Sequence, residues 1–246
     1  MSEIVKTEAV VLSKINYGDT SSIVSLYTEK EGKISAILKG ARTPKSKLGQ
    51  IVDPLNHLQI IVYKKPARDI QLISSADLIA HFSKIKEDLD CTKYSFAIIE
   101  IIRNLTNDNE VNPKLFRGLI RILQLIENKK EYPQILFSRF FLFFLSELGY
   151  EISIDKCSKC EKSFSQGKNI SFDFESGFIC SDCQESHFGN EPIDSELFEY
   201  LFCLKSNKSI NKINSETSKK FIVLLERYLK QHVPDFKGIQ SFNIFN

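Results

Sequence analysis

The sequence predicts an α+β protein of more than one domain. A small five-stranded β-barrel at the N-terminus is followed by an α-helical domain, and a four-cysteine module is inserted in that domain. Three observations carry this. Apolar residues recur with strand character over residues 1–80 and with helical period from about residue 84. Residues 153–188 break the helical pattern, with helical stripes on both sides. Four of the six cysteines form two Cys-x-x-Cys pairs, Cys157/Cys160 and Cys180/Cys183. A chain of 246 residues with 42% hydrophobic and 26% charged residues has the composition of an ordinary globular protein.

In the first 80 residues, Ile4–Leu12 is rich in Val and Ile, and Asn16-Tyr17-Gly18-Asp19 has the composition of a turn. Ser22–Thr28 and Lys33–Leu38 read as the second and third strands, separated by Glu29–Gly32. Leu58, Ile60 and Val62 alternate as a fourth strand, and Ile70–Ser74 is a fifth. The polar stretch Lys39–Asp53, with Pro44 and Gly49, connects strands three and four. Five short strands in this length suit an OB-fold-like barrel first and an SH3-like barrel second; periodicity does not separate them.

Helical stripes follow. Phe96, Ile99 and Ile102 share one face. Asn112 and Pro113 read as N-cap and first helical residue of a helix striped with Leu115, Phe116, Leu119, Ile122, Leu123 and Ile126. A helix from Pro133 to about Gly149 is apolar on nearly every side, which predicts a surrounded, central position. Beyond the cysteine module, Asp194 and Ser215 are candidate caps of two more helices, and the tail from Pro234 reads as irregular.

The two Cys-x-x-Cys pairs are separated by nineteen residues that include Gly167 and the alternating Ile170, Phe172 and Phe174. Each pair can present two sulfurs to one ion, and a hairpin that joins them completes a tetrahedron: the layout of a zinc ribbon. Cys157, Cys160, Cys180 and Cys183 are therefore the candidate ligands of one Zn2+. Four thiolates saturate zinc, so the site reads as structural; a catalytic zinc keeps a position open for water. His187 could substitute for a cysteine but is not needed. Cys91 and Cys203 read as small core residues.

Net charge is only +2, but it is unevenly distributed. Between residues 33 and 68 stand Lys33, Lys39, Arg42, Lys45, Lys47, Lys64, Lys65 and Arg68 against the single acid Asp53. That window is +7, which leaves −5 for the rest, and it points to a polyanionic partner. Lys39, Arg42, Lys45 and Lys47 fall in one inter-strand connection, where an OB-fold receives oligonucleotides. Residues 1–80 contain no Phe or Trp, so binding there should be mostly electrostatic and tolerant of sequence. No P-loop, H-x-E or H-E-x-x-H pattern occurs, and no nameable acid/base pair, so the chain does not read as an enzyme. No apolar run approaches the ~20 residues of a membrane helix, and the first nine residues lack an apolar secretory core. The expected location is the cytoplasm.

The stretches Tyr17-Gly18-Asp19, Lys39-Gly40-Ala41-Arg42 and Pro44-Lys45-Ser46-Lys47-Leu48, with the order barrel, helical domain, cysteine module, resemble the RecO family of bacterial recombination mediator proteins over essentially the whole length. The resemblance implies a DNA-repair role in the RecF pathway. It implies binding of single- and double-stranded DNA, annealing of complementary strands without ATP and, with RecR, help in loading RecA onto DNA coated by single-stranded-DNA-binding protein. It also implies a bacterial, nucleoid-associated setting. By position it carries DNA contact to Lys39, Arg42, Lys45 and Lys47; Lys33, Lys64, Lys65 and Arg68 rest on charge alone. Two other readings remain. A zinc hydrolase would need an open or histidine-containing site. A zinc-ribbon transcription or translation factor would place its basic surface on the ribbon, where Lys156, Lys159, Lys162 and Lys168 are offset by Glu161, Asp173, Glu175, Asp182 and Glu185.

Overall fold

The computed structural model describes residues 3–164, 169–184, 189–206 and 215–244. Gly167 and His187 lie outside the described residues. The chain forms two compact units, one of residues 1–130 with 240–246 and one of residues 131–239.

In the first unit, β1 (Glu3–Tyr17), β2 (Ser21–Thr28), β3 (Gly32–Leu38), β4 (His57–Lys64) and β5 (Ile70–Ala80) close into a barrel in the order β1-β2-β3-β5-β4. β1 serves two neighbours: Glu3–Val10 pairs with β4 and Ala9–Tyr17 with β2. A register shift between Val11 and Ser13 bends it between them. The last seam is parallel, Ser35–Ile37 against Ile70–Leu72. This order is that of an OB-like Greek key. Its interior holds Ala9, Val11, Val24, Leu26, Ile34, Ala36, Leu38, Leu58, Ile60, Val62 and Ile73.

β1 and β5 run further than the sequence indicated, to Tyr17 and Ala80. The connection after β3 is not wholly irregular either. A short helix α1 (Lys47–Ile51) stands there, with the Ser46 hydroxyl accepting from the Gly49 N–H at 3.1 Å.

Three helices belong to the same compact unit: α2 (Ser83–Glu87), α3 (Leu89–Leu105) and α4 (Pro113–Glu127). Asn112 caps α4 as expected, its side chain accepting from Leu115 N–H at 2.8 Å. α4 brings Phe116 against Tyr27 of β2 and His57 of β4, with ring centroids 6.4 and 6.2 Å apart. The β2–β3 turn is clamped onto the α3–α4 loop. Asn109 N–H donates to Lys33 O at 2.9 Å, and Lys33 Nζ donates to the carbonyls of Arg103 and Thr106 at 2.8 and 2.5 Å. Gly32, at φ +65°, has no room for a side chain: a Cβ there would lie 2.1 Å from Glu110 O.

The tail does not stay irregular. Ser241–Ile244 form α8, and the buried Glu100 carboxylate of α3 accepts the N–H groups of Gln240 and Ser241, both at 2.7 Å. The chain end thereby finds a cap on a helix far back in the sequence.

The second unit holds α5 (Pro133–Glu147), a three-stranded sheet and the helices α6 (Ser195–Ser206) and α7 (Ser215–His232). Ile135, Leu136, Phe137 and Ser138 are buried in succession on α5, followed by Phe140, Phe141, Phe144 and Leu145. Consecutive burial leaves no solvent face over that turn, as its apolar sequence predicts. The sheet consists of β6 (Ile170–Asp173), β7 (Gly177–Cys180) and β8 (Glu191–Ile193), in the order β7-β6-β8. Asp194 caps α6, accepting from Leu197 N–H at 2.8 Å.

Two substitutions test these packings. Gly32→Ala forces a Cβ into the Glu110 backbone from a left-handed conformation, and should cost at least about 2 kcal/mol in denaturant unfolding. Phe141→Ala empties a fully buried site and should cost roughly 3–5 kcal/mol in the same assay.

Candidate metal centre and nucleic-acid interface

The four paired cysteines meet at one place. Their sulfurs all lie within 4.8 Å of one another. Local backbone geometry explains how each pair is shaped. In the first, Cys157 N–H donates to Lys162 O at 2.9 Å and Glu161 N–H to Cys157 O at 2.8 Å, with Glu161 in the left-handed region at φ +60°. In the second, Cys180 ends β7 and a 3₁₀ turn, Ser181–Cys183, carries the chain to the fourth sulfur. The two are joined by Ser158 N–H donating to Phe178 O at 2.8 Å and by Cys180 N–H donating to Cys157 Sγ at 3.4 Å.

The donor set fits zinc. Sulfurs about 2.3 Å from a tetrahedral ion stand about 3.8 Å from one another; Cys160 Sγ and Cys180 Sγ are 3.7 Å apart. Burial pushes the Cys157 thiol up, but backbone N–H groups of Cys180, Cys160 and Lys159 more than offset this and bring it down to about 6. Cys183 is pushed up to about 12, chiefly by its contact with Cys160 and then Cys180. One sulfur is thus prepared as a thiolate, and four crowded sulfurs cannot all ionise without a cation between them.

The module is fixed to its own unit by aromatic packing. Phe172 meets Phe178 edge-on at 4.7 Å and Tyr228 of α7 at 5.7 Å, and Arg227 lies over Phe174 at 4.2 Å. Two of its lysines are matched: Lys159 stands 3.7 Å from Asp173, and Lys162 stands 3.9 Å from Asp182. Lys168 and Glu185 lie outside the described residues.

The eight basic residues of the barrel window do not form one patch. Lys39, Arg42, Lys45 and Lys47 are exposed together on the β3–α1 connection. None of the four has an ion pair among the described residues. Lys64, Lys65 and Arg68 belong to the β4–β5 hairpin at the opposite end of β3, because β5 starts beside Ser35. Lys64 is paired there with Glu31 of the β2–β3 turn. Lys33 is the most committed of all: besides its two carbonyl partners, it stands 3.3 Å from Asp108.

The first group sits on a stiff support. Arg42 N–H donates to Thr20 O at 2.8 Å and its guanidinium to Gly18 O at 2.9 Å, tying the connection to the β1–β2 turn. Thr43 and Ser46 N–H groups close successive turns on Gly40 O and Thr43 O. Gly49 of α1 packs so close that a Cβ would lie 1.8 Å from Ala41 O, and Lys14 Nζ of β1 donates to Gly49 O at 2.7 Å. Sequence reasoning marked Gly49 only as a glycine of the connection and did not single out Lys14. The spatial approach of α1 to Ala41 reveals what both residues do.

The chain thus combines an OB-like barrel that carries an exposed cationic connection with a helical part and a four-thiol cluster suited to a structural metal. Comparison with known proteins narrows the class. The pattern described as "Recombination protein O N terminal" matches residues 1–82, and "Recombination protein O C terminal" matches residues 86–238. The chain belongs to the RecO family. Similar proteins named "DNA repair protein RecO" include one from Chloroherpeton thalassium, 29% identical over 98% of this chain and 97% of that protein. Another, from Chlorobium phaeobacteroides, is 32% identical over 94% and 93%. One from Chlorobium limicola is 42% identical over 63% of this chain and 59% of that protein. Among the described residues no helix is long and apolar enough to cross a membrane.

The sulfur geometry has a direct test. Cys160→Ser should abolish stoichiometric zinc in elemental analysis and loosen the module in proteolysis while the barrel's strand signature persists. Zinc affinity in the parent protein should fall as pH falls, because zinc displaces protons from the remaining thiols, and should fall more steeply below about 6, where Cys157 also regains its proton.

Proposed function

We propose that this protein is a DNA-binding recombination mediator that acts by binding rather than by catalysis. The observation that carries the reading is the group Lys39, Arg42, Lys45 and Lys47. Four cations project from one stiffened connection with no carboxylate partner among the described residues, so phosphates meet no internal anion competing for them there. Phosphate neutralisation supplies most of such affinity and is indifferent to sequence. Lys65 and Arg68 offer a second, smaller contact at the other end of the barrel. Lys33 and Lys64 serve the fold.

Membership of the RecO family supports the finer role: ATP-independent annealing of complementary strands within the RecF pathway, with RecR, RecA and single-stranded-DNA-binding protein as functional partners. Cys157, Cys160, Cys180 and Cys183 hold one structural Zn2+ in this reading. When bound, the ion supplies crosslinking only. The chain's own residues shape the module around it, and Phe172 against Tyr228 and Phe174 beneath Arg227 hold that module on α7.

A salt titration tests the DNA reading. Each phosphate contact on single strands contributes about −0.7 to the slope of log K against log salt. Changing Arg42, Lys45 and Lys47 together to Ala should flatten that slope by roughly 2 and weaken unrelated sequences alike, with zinc content unchanged. An unaltered slope and affinity would remove this connection as the binding site.

A further inference from the structure

Each Cys-x-x-Cys pair holds one buried and one accessible cysteine. Cys157 and Cys180, the first members, are 1% and 9% exposed, while Cys160 and Cys183, the second members, are half-exposed. The asymmetry has local causes. Cys157 sits inside the turn closed on Lys162 O, and its sulfur receives the Cys180 N–H. Cys180 is the last residue of the buried strand β7, and Cys183 lies beyond it on a 3₁₀ turn that buries no residue. Cys160 and Cys183 are also in contact with each other across the cluster. The two outer sulfurs therefore meet both solvent and one another.

The two cysteine turns have links that do not pass through sulfur. Ser158 N–H donates to Phe178 O at 2.8 Å, and the ion pairs of Lys159 with Asp173 and of Lys162 with Asp182 run from the first turn to the hairpin and the second turn. Phe164 N–H donates to Asp155 O at 2.9 Å and closes the first loop at its base, which Lys205 of α6 pairs with through Asp155. Thiols held side by side in this way react with each other in preference to groups free in solution. A sulfur oxidised by one step is then captured by its neighbour before it climbs further. Cys91 offers no such chemistry: it is buried, and burial pushes its thiol up to about 11. Cys203 is not a member of the cluster.

We propose that Cys160 and Cys183 are a peroxide-reactive pair, which makes the cysteine cluster a reversible redox switch as well as a metal centre. The inference rests on the zinc reading above and adds what the ligands do when an oxidant reaches them. One outer thiolate attacks hydrogen peroxide: an S–O bond forms, the O–O bond breaks, and hydroxide leaves with the electron pair. The other outer thiolate attacks that sulfur: an S–S bond forms, the S–O bond breaks, and a second hydroxide leaves. Two thiolates thereby lose two electrons, and one peroxide is reduced to two hydroxides. Only Cys157 and Cys180 then remain as thiolates, and two ligands do not fill the four positions of zinc. The module exchanges an ionic crosslink between its turns for a covalent one, so it releases the metal without coming apart.

The test follows zinc in the full-length, reduced protein with a chromogenic chelator, and needs no variant. The chelator alone should draw off little metal. A small excess of hydrogen peroxide should release about one zinc per chain as a single disulfide forms. Peptide mapping should place that disulfide at Cys160–Cys183, with Cys91 still a free thiol. The oxidised chain should resist protease within the module, unlike Cys160→Ser, because the new bond still joins the two turns. A phosphine reductant with added zinc should return the metal. Zinc retained under peroxide would overturn the inference while leaving the zinc reading standing. So would a disulfide in any other pairing, release by the chelator alone at the same rate, or release that reductant and zinc do not reverse. Parent protein that carries no zinc would overturn the zinc reading and this inference with it.

Discussion

Barrel closure depends on a short parallel seam, Ser35–Ile37 against Ile70–Leu72. Every other pairing in the barrel is antiparallel, and most of them join strands adjacent in sequence. Only the seam brings β5 beside β3, and it fixes three things at once. It seals the interior around Ala36 and Ile73. It sends the β4–β5 hairpin to the end of β3 where Glu31 stands, so that Lys64 meets that carboxylate. It aligns Ile37 with Leu72 on the outside of the barrel. A one-residue slip at this seam would turn each side chain to the opposite face.

How legible these features were depends on how local their causes are. α4 was readable because its cap, its proline and its stripe lie within fifteen residues of one another, and Asn112 does cap it. The cysteine cluster was readable because two residues between cysteines constrain the backbone regardless of context. The full length of β1 was not readable. Its period fails where Ala9, Val10, Val11 and Leu12 are all buried, at the bulge that lets one strand serve two neighbours. α8 was hidden for a different reason. Four residues cannot sustain a helix by propensity, and the carboxylate that caps this one, Glu100, stands 140 residues upstream.

The charge window shows the same limit at the site. Eight basic residues are near neighbours in sequence, yet the strand topology deals them to two ends of the barrel. Hydrogen bonding then removes some from consideration. Lys33 is 15% exposed at its side chain, with two carbonyls and Asp108 around its ammonium. Those carbonyls belong to the C-terminal end of α3, where the last turn leaves acceptors unpaired and the helix dipole favours a cation. A count of lysines does not distinguish a charge that satisfies a helix end from one that faces solvent. The partners of each ammonium do.

The stiffness of the cationic connection bears on how it can bind. A flexible lysine loop loses conformational freedom when it settles on phosphates, and that loss subtracts from affinity. Here much of the backbone is already fixed. The Arg42 guanidinium is held by Gly18 O, two turns are closed by Thr43 and Ser46, and α1 is seated on Ala41 through a contact that only glycine at position 49 allows. Lys14 fastens the far side of α1 through Gly49 O and stands 3.8 Å from Asp53, so the one acid of the basic window is turned toward β1. The residues that create the favourable field and those that organise it overlap at Arg42, whose guanidinium also holds Gly18 O. Lys39, Arg42, Lys45 and Lys47 supply charge, while Gly49, Ser46 and Lys14 hold the backbone from which that charge projects. Binding then orders mainly the side chains themselves, and the release of counterions is opposed by little backbone entropy.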